Sequence, residues 1–203
     1  MTKIRTLFFD IGGVLLNIHP ERTLDLLAKK SGLTSDRLIG VMDGPIHDAY
    51  ERGELTEEQF YEQFRQTLPG EISFTRGDFF RAWQLMLGSP TGTMTFALGL
   101  IPEFHVWLAS NTNPYHINMG IDGLLDGFTG RVYSFEIGYR KPERKFFEQA
   151  LTLAETTVNK SLFIDDKIEN IVTAKALGFL TVHYRSHEEF AEEISHILND
   201  ELS

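Results

Sequence analysis

The 203-residue chain contains no cysteine, which excludes disulfides and thiolate metal sites and fits a reducing compartment. No apolar run approaches the roughly 18 residues needed to span a bilayer. The opening MTKIRTLFFD carries two basic residues, and its apolar stretch is too short for a signal peptide and is interrupted by Asp10. A cytoplasmic protein without a membrane partner is expected. Basic residues are scarce: 19 Lys and Arg face 29 Asp and Glu, for a formal net charge of -10. That balance disfavours nucleic acid, whose phosphates need a basic face. It leaves room for a small anionic substrate, because a local lysine and a divalent cation outweigh the global charge. Internal repeats and low-complexity linkers are absent as well. What remains is ordinary globular material, 42% hydrophobic and 24% charged. A chain this long buries about 70% of its unfolded surface. One domain, or one domain carrying an insertion, is expected, as a monomer or weak homodimer.

The hydrophobic pattern changes character twice along the chain. Residues 3–9, KIRTLFF, read as a short buried strand ending at Asp10, followed by Gly12 and Gly13 as a tight turn. From about residue 17 to 88 the periodicity is helical and predicts no strand. Leu24, Leu27 and Ala28 share one face, Leu38 and Met42 another, and Phe60, Phe64 and Leu68 a third. Thr56 with Gln59 three residues on predicts a capping box. A further helix is predicted over 78–87. Beyond Ser89-Pro90 strands and helices alternate: strands at 104–109, 131–135, 161–165 and 179–184, helices at 142–153, 170–177 and 188–198. That alternation implies an α/β fold with a parallel sheet and helices on both faces. Ligands of such sheets sit beyond the carboxyl ends of the strands. Asp10, Ser110 and the pair Asp165-Asp166 fall at those ends, and Lys141 opens a helix after the strand at 131–135.

Taken alone, Asp10 is equally well a turn or helix cap. Asp165-Asp166 is harder to explain that way, since adjacent carboxylates after a buried strand repel unless a cation or hydrogen-bond donors share the site. Hard oxygen ligands with room for water and phosphate suit Mg²⁺. Asn170, one turn later, can steady one carboxylate, and Lys141 adds a fixed positive charge. Ser110 and the backbone N–H groups of Asn111 and Thr112 offer donors to an anion. A nucleophilic carboxylate, a divalent ion, a lysine and a hydroxyl make a phosphoryl-transfer site.

The ordered motifs D-x-G-G-V, S-N-T-N, R-K-P and D-D-x-x-x-N-x-x-x-A-x-x-L-G resemble the haloacid dehalogenase superfamily over nearly the whole chain. The runs YERGELT (50–56) and ASNTN (109–113) are further similar to bacterial sugar-phosphate phosphatases of the alpha-glucose-1-phosphate phosphatase type. The resemblance implies a Rossmann-like, doubly wound core from residues 1–16 and 89–203, with a helical cap from 17–88 inserted after the first strand. It implies a Mg²⁺-dependent phosphatase acting on a small phosphorylated metabolite, a sugar phosphate above all, through an aspartyl-phosphate on Asp10. Asp10, the Gly12 carbonyl and Asp166 would ligate the metal, with Asp165 in the same cluster and Asn170 supporting it. Ser110, Asn111 and Lys141 would hold the phosphate.

One feature departs from that family's usual pattern. Most of its phosphatases carry a second aspartate two residues after the nucleophile as general acid and base; here that position is Gly12. A positioned acid/base contributes on the order of 10²–10⁴ in rate. Either a good leaving group, a cap residue such as His47, or water compensates. Otherwise the chain is a regulatory binding protein on a retired enzyme fold. A 2-haloacid dehalogenase is a third reading, against which the paired carboxylates argue.

The cap closes over the strand ends and selects the substrate. Its expected contact stretch is HDAYERGE (47–54), read as a loop in which His47, Tyr50 or Arg52 meets the sugar or its phosphate; the plain alternative is a solvated turn between helices. His116 reads as a surface or cap-interface residue, His19 as a hinge residue and His183 as structural. Trp83, Phe79, Phe80 and Met86 read as cap core.

Overall fold

The computed structural model describes residues 3–42, 44–68 and 74–202. Its centre is a five-stranded parallel sheet, in which β1 (Thr6–Phe9) pairs with β4 (His105–Ser110) on one side and β6 (Ser161–Asp165) on the other. β5 (Gly130–Tyr133) lies outside β4, and β7 (Leu180–His183) lies outside β6, giving the order β5-β4-β1-β6-β7. The unbroken apolar runs follow from burial on both faces. In β1, Leu7 and Phe9 face α6 (Gly92–Gly99) and α11 (His187–Leu202) through Met94, Ala97, Phe190 and Ile194. Phe8 faces α9 (Arg144–Leu153) and α10 (Ile168–Ala176) through Phe146, Phe147 and Ala174. The β6 residues Leu162 and Ile164 against Phe163 divide the same way. Helices on both sides make the sheet doubly wound, as the alternation predicts.

Between β1 and the rest of the sheet runs a helical insert: α1 (Pro20–Ser31), α2 (Ser35–Met42), α3 (Pro45–Glu51), α4 (Glu57–Thr67) and α5 (Arg76–Gln84). It has its own core of Leu27, Leu38, Tyr50, Phe60, Phe64, Phe79, Phe80 and Trp83. Phe60 is its hub, stacked on Tyr50 at 4.2 Å and edge-on to Trp83 at 5.0 Å. The Thr56–Gln59 capping box forms at α4, and Thr75–Asp78 makes a second at α5. Among the described residues no helix is long and apolar enough to cross a membrane.

Three local expectations are corrected, and one helix, α6, is added. Residues 17–88 are not free of strand: β2 (Leu16–Ile18) and β3 (Leu87–Pro90) pair antiparallel where the chain leaves and re-enters the sheet domain. Three-residue pairing gives no periodicity to read, and its energy comes from a partner 70 residues away. HDAYERGE is not a loop, since α3 covers its first half; Pro45 starts that helix at its first turn, where a missing N–H costs nothing. α6 lies in a stretch, GTMTFALG, that is apolar nearly all round and so carries no helical stripe. The strand at 131–135 stops at Tyr133, and α8 (Ser134–Ile137) follows as one helical turn ended by Gly138 at φ 76°.

Candidate active site

Parallel register brings the chemistry together. Phe9 pairs with Leu108 and with Ile164, so the next residues, Asp10 and Asp165, emerge side by side at the carboxyl edge. Lys141 reaches them from the loop before α9, fully buried, and its Nζ donates to the Ala109 carbonyl at 2.7 Å and to Asp165 Oδ2 at 2.6 Å. The same ammonium stands 3.0 Å from Asp10 Oδ1. Asp165 is saturated, because its Oδ1 accepts from the Asn170 amide and the Lys167 N–H, each at 2.9 Å. Asp166 is not: its buried Oδ1 has no hydrogen-bond partner among the described residues. His183 Nε2 lies 3.0 Å from the Asp166 carbonyl and so braces that residue's backbone, the structural part expected of it.

These charges are tuned by burial. Desolvation pushes Asp10 up to about 7, and Lys141 opposes that rise while Asp165 and Asp166 reinforce it. Asp166 is raised by burial and by Asp165. Burial works against the Lys141 charge, yet Asp10 and Asp165 outweigh it and its pKa rises. Such a cluster lacks positive charge. Asp10, Asp165 and Asp166 each offer an oxygen within 4.8 Å of the others. The Gly12 carbonyl accepts no hydrogen bond among the described residues. Gly13 explains why a glycine pair is needed: it sits at φ 80°, and a Cβ there would come 2.4 Å from Asp166 Oδ2. An all-oxygen donor set with an orphaned carboxylate oxygen fits a hard divalent cation.

Above this floor lies a cavity of about 350 Å³, bounded on its far side by the insert. Asp10, Gly12, Ser110, Asn111, Lys141, Asp166 and Asn170 line it together, as the strand-end rule predicts. One donor expected for an anion, the Thr112 N–H, is already used, and so is the Asn111 side-chain amide. The Asn111 side chain clasps the Lys141 backbone, accepting its N–H at 2.8 Å and donating to its carbonyl at 2.9 Å. The Thr112 N–H donates to Ser134 Oγ at 3.0 Å. Asn111 therefore aims the lysine, with its side-chain amide spent on that loop.

The insert supplies the roof, and here the reading of residues 47–54 divides. His47 lines the cavity. Tyr50 does not: it is fully buried in the insert core against Phe60. Arg52 also turns away, pairing with Glu143. Gly53 at φ 71° presses on the backbone of α8, where a Cβ would meet the Phe135 carbonyl at 2.3 Å. The YERG run is thus a docking surface between insert and sheet domain. Arg140, the first residue of the R-K-P motif and assigned no role from the sequence, completes it. Its Nε and Nη2 each lie 2.7 Å from Glu51 Oε2, and its Nη1 pairs with Asp48. Its place immediately before Lys141 was the available signal. His116 is not on the surface: it is buried at the insert interface, with Nε2 3.1 Å from the Trp83 carbonyl and Nδ1 3.1 Å from the Asn113 amide. His19 bonds Met86 through its backbone, at the hinge as expected.

No protein-family model matches the chain. It is 27% identical to a D-ribitol-5-phosphate phosphatase of Bacteroides thetaiotaomicron over 97% of this chain and 99% of that protein. It is 29% identical to the sesquiterpene phosphatase AstK of Aspergillus oryzae, with 90% of each covered. A HAD-like hydrolase from Porphyromonas gingivalis superposes with a TM-score of 0.83 at 25% identity, over 97% of this chain and 98% of that one. A HAD family enzyme of B. thetaiotaomicron, solved with magnesium and inorganic phosphate, superposes at 0.79 and 25% identity, over 91% and 96%. The chain has the fold of the haloacid dehalogenase superfamily hydrolases. That fold comprises the five-stranded sheet and the helical insert after β1. Position 12 carries no side chain to move a proton, and the nearest bulk is apolar, since a Cβ there would meet Ile18 at 3.1 Å.

Proposed function

We propose that this chain is a Mg²⁺-dependent phosphatase that cleaves a small phosphorylated metabolite through an aspartyl-phosphate on Asp10. The observation that carries the reading is the placement of the Lys141 ammonium 3.0 Å from Asp10 Oδ1 inside a three-carboxylate cluster on a cavity floor. The relative solved with magnesium and phosphate, and the two phosphatases named above, support it. Asp10, Asp166 and the Gly12 carbonyl would hold Mg²⁺, which would supply charge neutralisation for the transferring group. Asp10 attacks phosphorus in line and the alcohol leaves; water then attacks the acyl-phosphate and frees inorganic phosphate. Lys141 keeps Asp10 oriented and offsets charge on the phosphoryl oxygens. Asp165 and Asn170 hold Lys141 and the Asp166 loop. Ser110 Oγ, at the end of β4 and lining the floor, donates to the phosphate. Residues 17–88 act as the cap and residues 1–16 with 89–203 as the core.

The substrate reading is a sugar or polyol phosphate, supported by the ribitol-5-phosphate phosphatase relative and by His47, Asp48, Glu51 and Arg140 on the cavity wall. A second reading rests on the apolar part of the lining, Ile18, Leu24, Ile39, Met42, Met86 and Leu87. That part suits a prenyl-type phosphate, the substrate class named for the Aspergillus relative. The test is phosphate release from pentitol 5-phosphates, hexose 1- and 6-phosphates and prenyl phosphates, with and without Mg²⁺. Mg²⁺-dependent turnover is expected, with halide release from short haloacids absent. A metal-independent rate, or none on any phosphate, would overturn the phosphatase reading and favour a binding role.

A further inference from the structure

The missing group at position 12 leaves the phosphatase reading without a proton carrier, and the cavity walls narrow the candidates. Lys141 is fixed between Asp10 and Asp165. Asp48 and Glu51 are both engaged by Arg140. His116 is neutral and spent: Asn113 accepts its backbone N–H through Oδ1, so the Asn113 amide donates to Nδ1 and Nε2–H donates to Trp83. His47 differs. Its Nε2 stands 3.4 Å from Glu51 Oε1, and its Nδ1 has no hydrogen-bond partner among the described residues. The ring is edge-on to Trp83 at 5.3 Å and 6.4 Å from Phe60, so its plane is set by aromatic walls.

The imidazole is also tied to the floor. Glu51 is buried and gripped by Arg140, the residue before Lys141. A short relay therefore runs from the nucleophile's lysine, through one peptide link, to Arg140, Glu51 and His47. A carboxylate beside an imidazole nitrogen orients the ring. His47 lines the cavity that Asp10 and Ser110 share, with its other ring nitrogen unpartnered among the described residues.

We propose that His47 is the general acid and base of this hydrolase, replacing a carboxylate at position 12, with Glu51 as its positioning residue. The inference rests on the phosphatase reading. In the first step an Asp10 oxygen bonds to phosphorus, the bond from phosphorus to the ester oxygen breaks, and the imidazolium proton passes to that oxygen, releasing a neutral alcohol. In the second, His47 takes a proton from water as the water oxygen bonds to phosphorus. The Asp10 oxygen–phosphorus bond breaks, phosphate leaves, and the imidazolium is restored. The groups facing His47 are Glu51 on its own helix, Asp48 beside it, Arg140 from the sheet domain and neutral His116.

The experiment compares wild type, His47→Gln and Glu51→Gln on p-nitrophenyl phosphate, whose leaving group needs no proton, and on an alkyl phosphate, whose leaving group does. His47→Gln should lower alkyl-phosphate kcat/KM by about 10²–10⁴-fold and p-nitrophenyl phosphate turnover by about tenfold or less. Wild-type alkyl turnover should show an alkaline limb that vanishes in His47→Gln. Glu51→Gln should lower alkyl-phosphate kcat/KM while leaving p-nitrophenyl phosphate turnover within about tenfold, a split that a purely structural role would not give. Equal losses on both substrates, or a surviving alkaline limb, would overturn the proposal. If His47→Gln fails to fold, the wild type decides alone: kcat/KM nearly independent of leaving-group pKa supports an acid, and a steep decline refutes one. Absence of wild-type turnover on both esters would instead remove the phosphatase reading itself.

Discussion

The floor and the roof of the cavity are both made of ion pairs, yet they are built for different purposes. On the floor, the side chains of Lys141, Asp10 and Asp165 are 1%, 9% and 0% exposed. On the roof, Arg140 and Asp48 are 19% and 43% exposed, and Arg52 and Glu143 are 25% and 38%. Desolvated charges cannot part without leaving one of them uncompensated, so the floor is held as a unit. Half-solvated pairs exchange readily for water, so Arg140–Asp48 and Arg52–Glu143 are weak, whereas Arg140–Glu51, at 19% and 9% exposed, is the firmer contact. Rigid chemistry below and a releasable contact above are what a cavity needs if it must admit a substrate and then exclude solvent.

That contrast can be broken most severely at Asp10. Asp10→Asn should abolish Mg²⁺-dependent phosphate release, by roughly 10⁴-fold or more, while circular dichroism stays native. Lys141→Ala comes next: it strands Asp10 and Asp165 without their cation and should cost about 3–5 kcal/mol in urea unfolding. A smaller effect is expected from pH. Burial pushes His116 down to about 4, below its ordinary 6.5, so the unfolded chain binds this proton first. Its contribution is complete above pH 6.5 and is lost as pH falls toward 4, on the order of 3 kcal/mol. Unfolding free energies across that window should show the loss, and His116→Asn should flatten it. Gly53→Ala forces a Cβ into the Phe135 carbonyl at a left-handed backbone position. A cost of about 1–3 kcal/mol and a raised KM are expected, seen by thermal melts and kinetics. Arg52→Ala should change least, below about 1 kcal/mol with KM unaltered. A large rise in KM there would return Arg52 to the substrate and weaken the contrast.

The sheet residues of the site were legible because each stands at the end of an apolar strand, and strand ends share one edge in a parallel sheet. Asp10, Ser110, Asp165 and Asp166 needed nothing more. Lys141 needed only its place at a helix start. The insert was legible as helices but not as a surface. Tyr50 and Arg52 have the polarity of ligand-binding residues, yet one is consumed by the aromatic core and the other by Glu143. Asn111 was expected to meet the phosphate through its backbone N–H; what the sequence did not show is that its side-chain amide bonds both ways to the Lys141 backbone. β2 and β3 escaped notice because each is only three or four residues long and gains its hydrogen bonds from the other.

The sequence by itself determined the doubly wound sheet, the helical insert and the carboxylate cluster, because periodicity and burial are properties of short segments. Only the tertiary structure decided which polar groups remain free. Arg140 claims Glu51 and Asp48, Trp83 claims His116, and His47 is left with an open nitrogen on the cavity wall. Hydrogen-bonding capacity is finite, and which of it is already spent depends on neighbours that only folding brings within 3 Å or so.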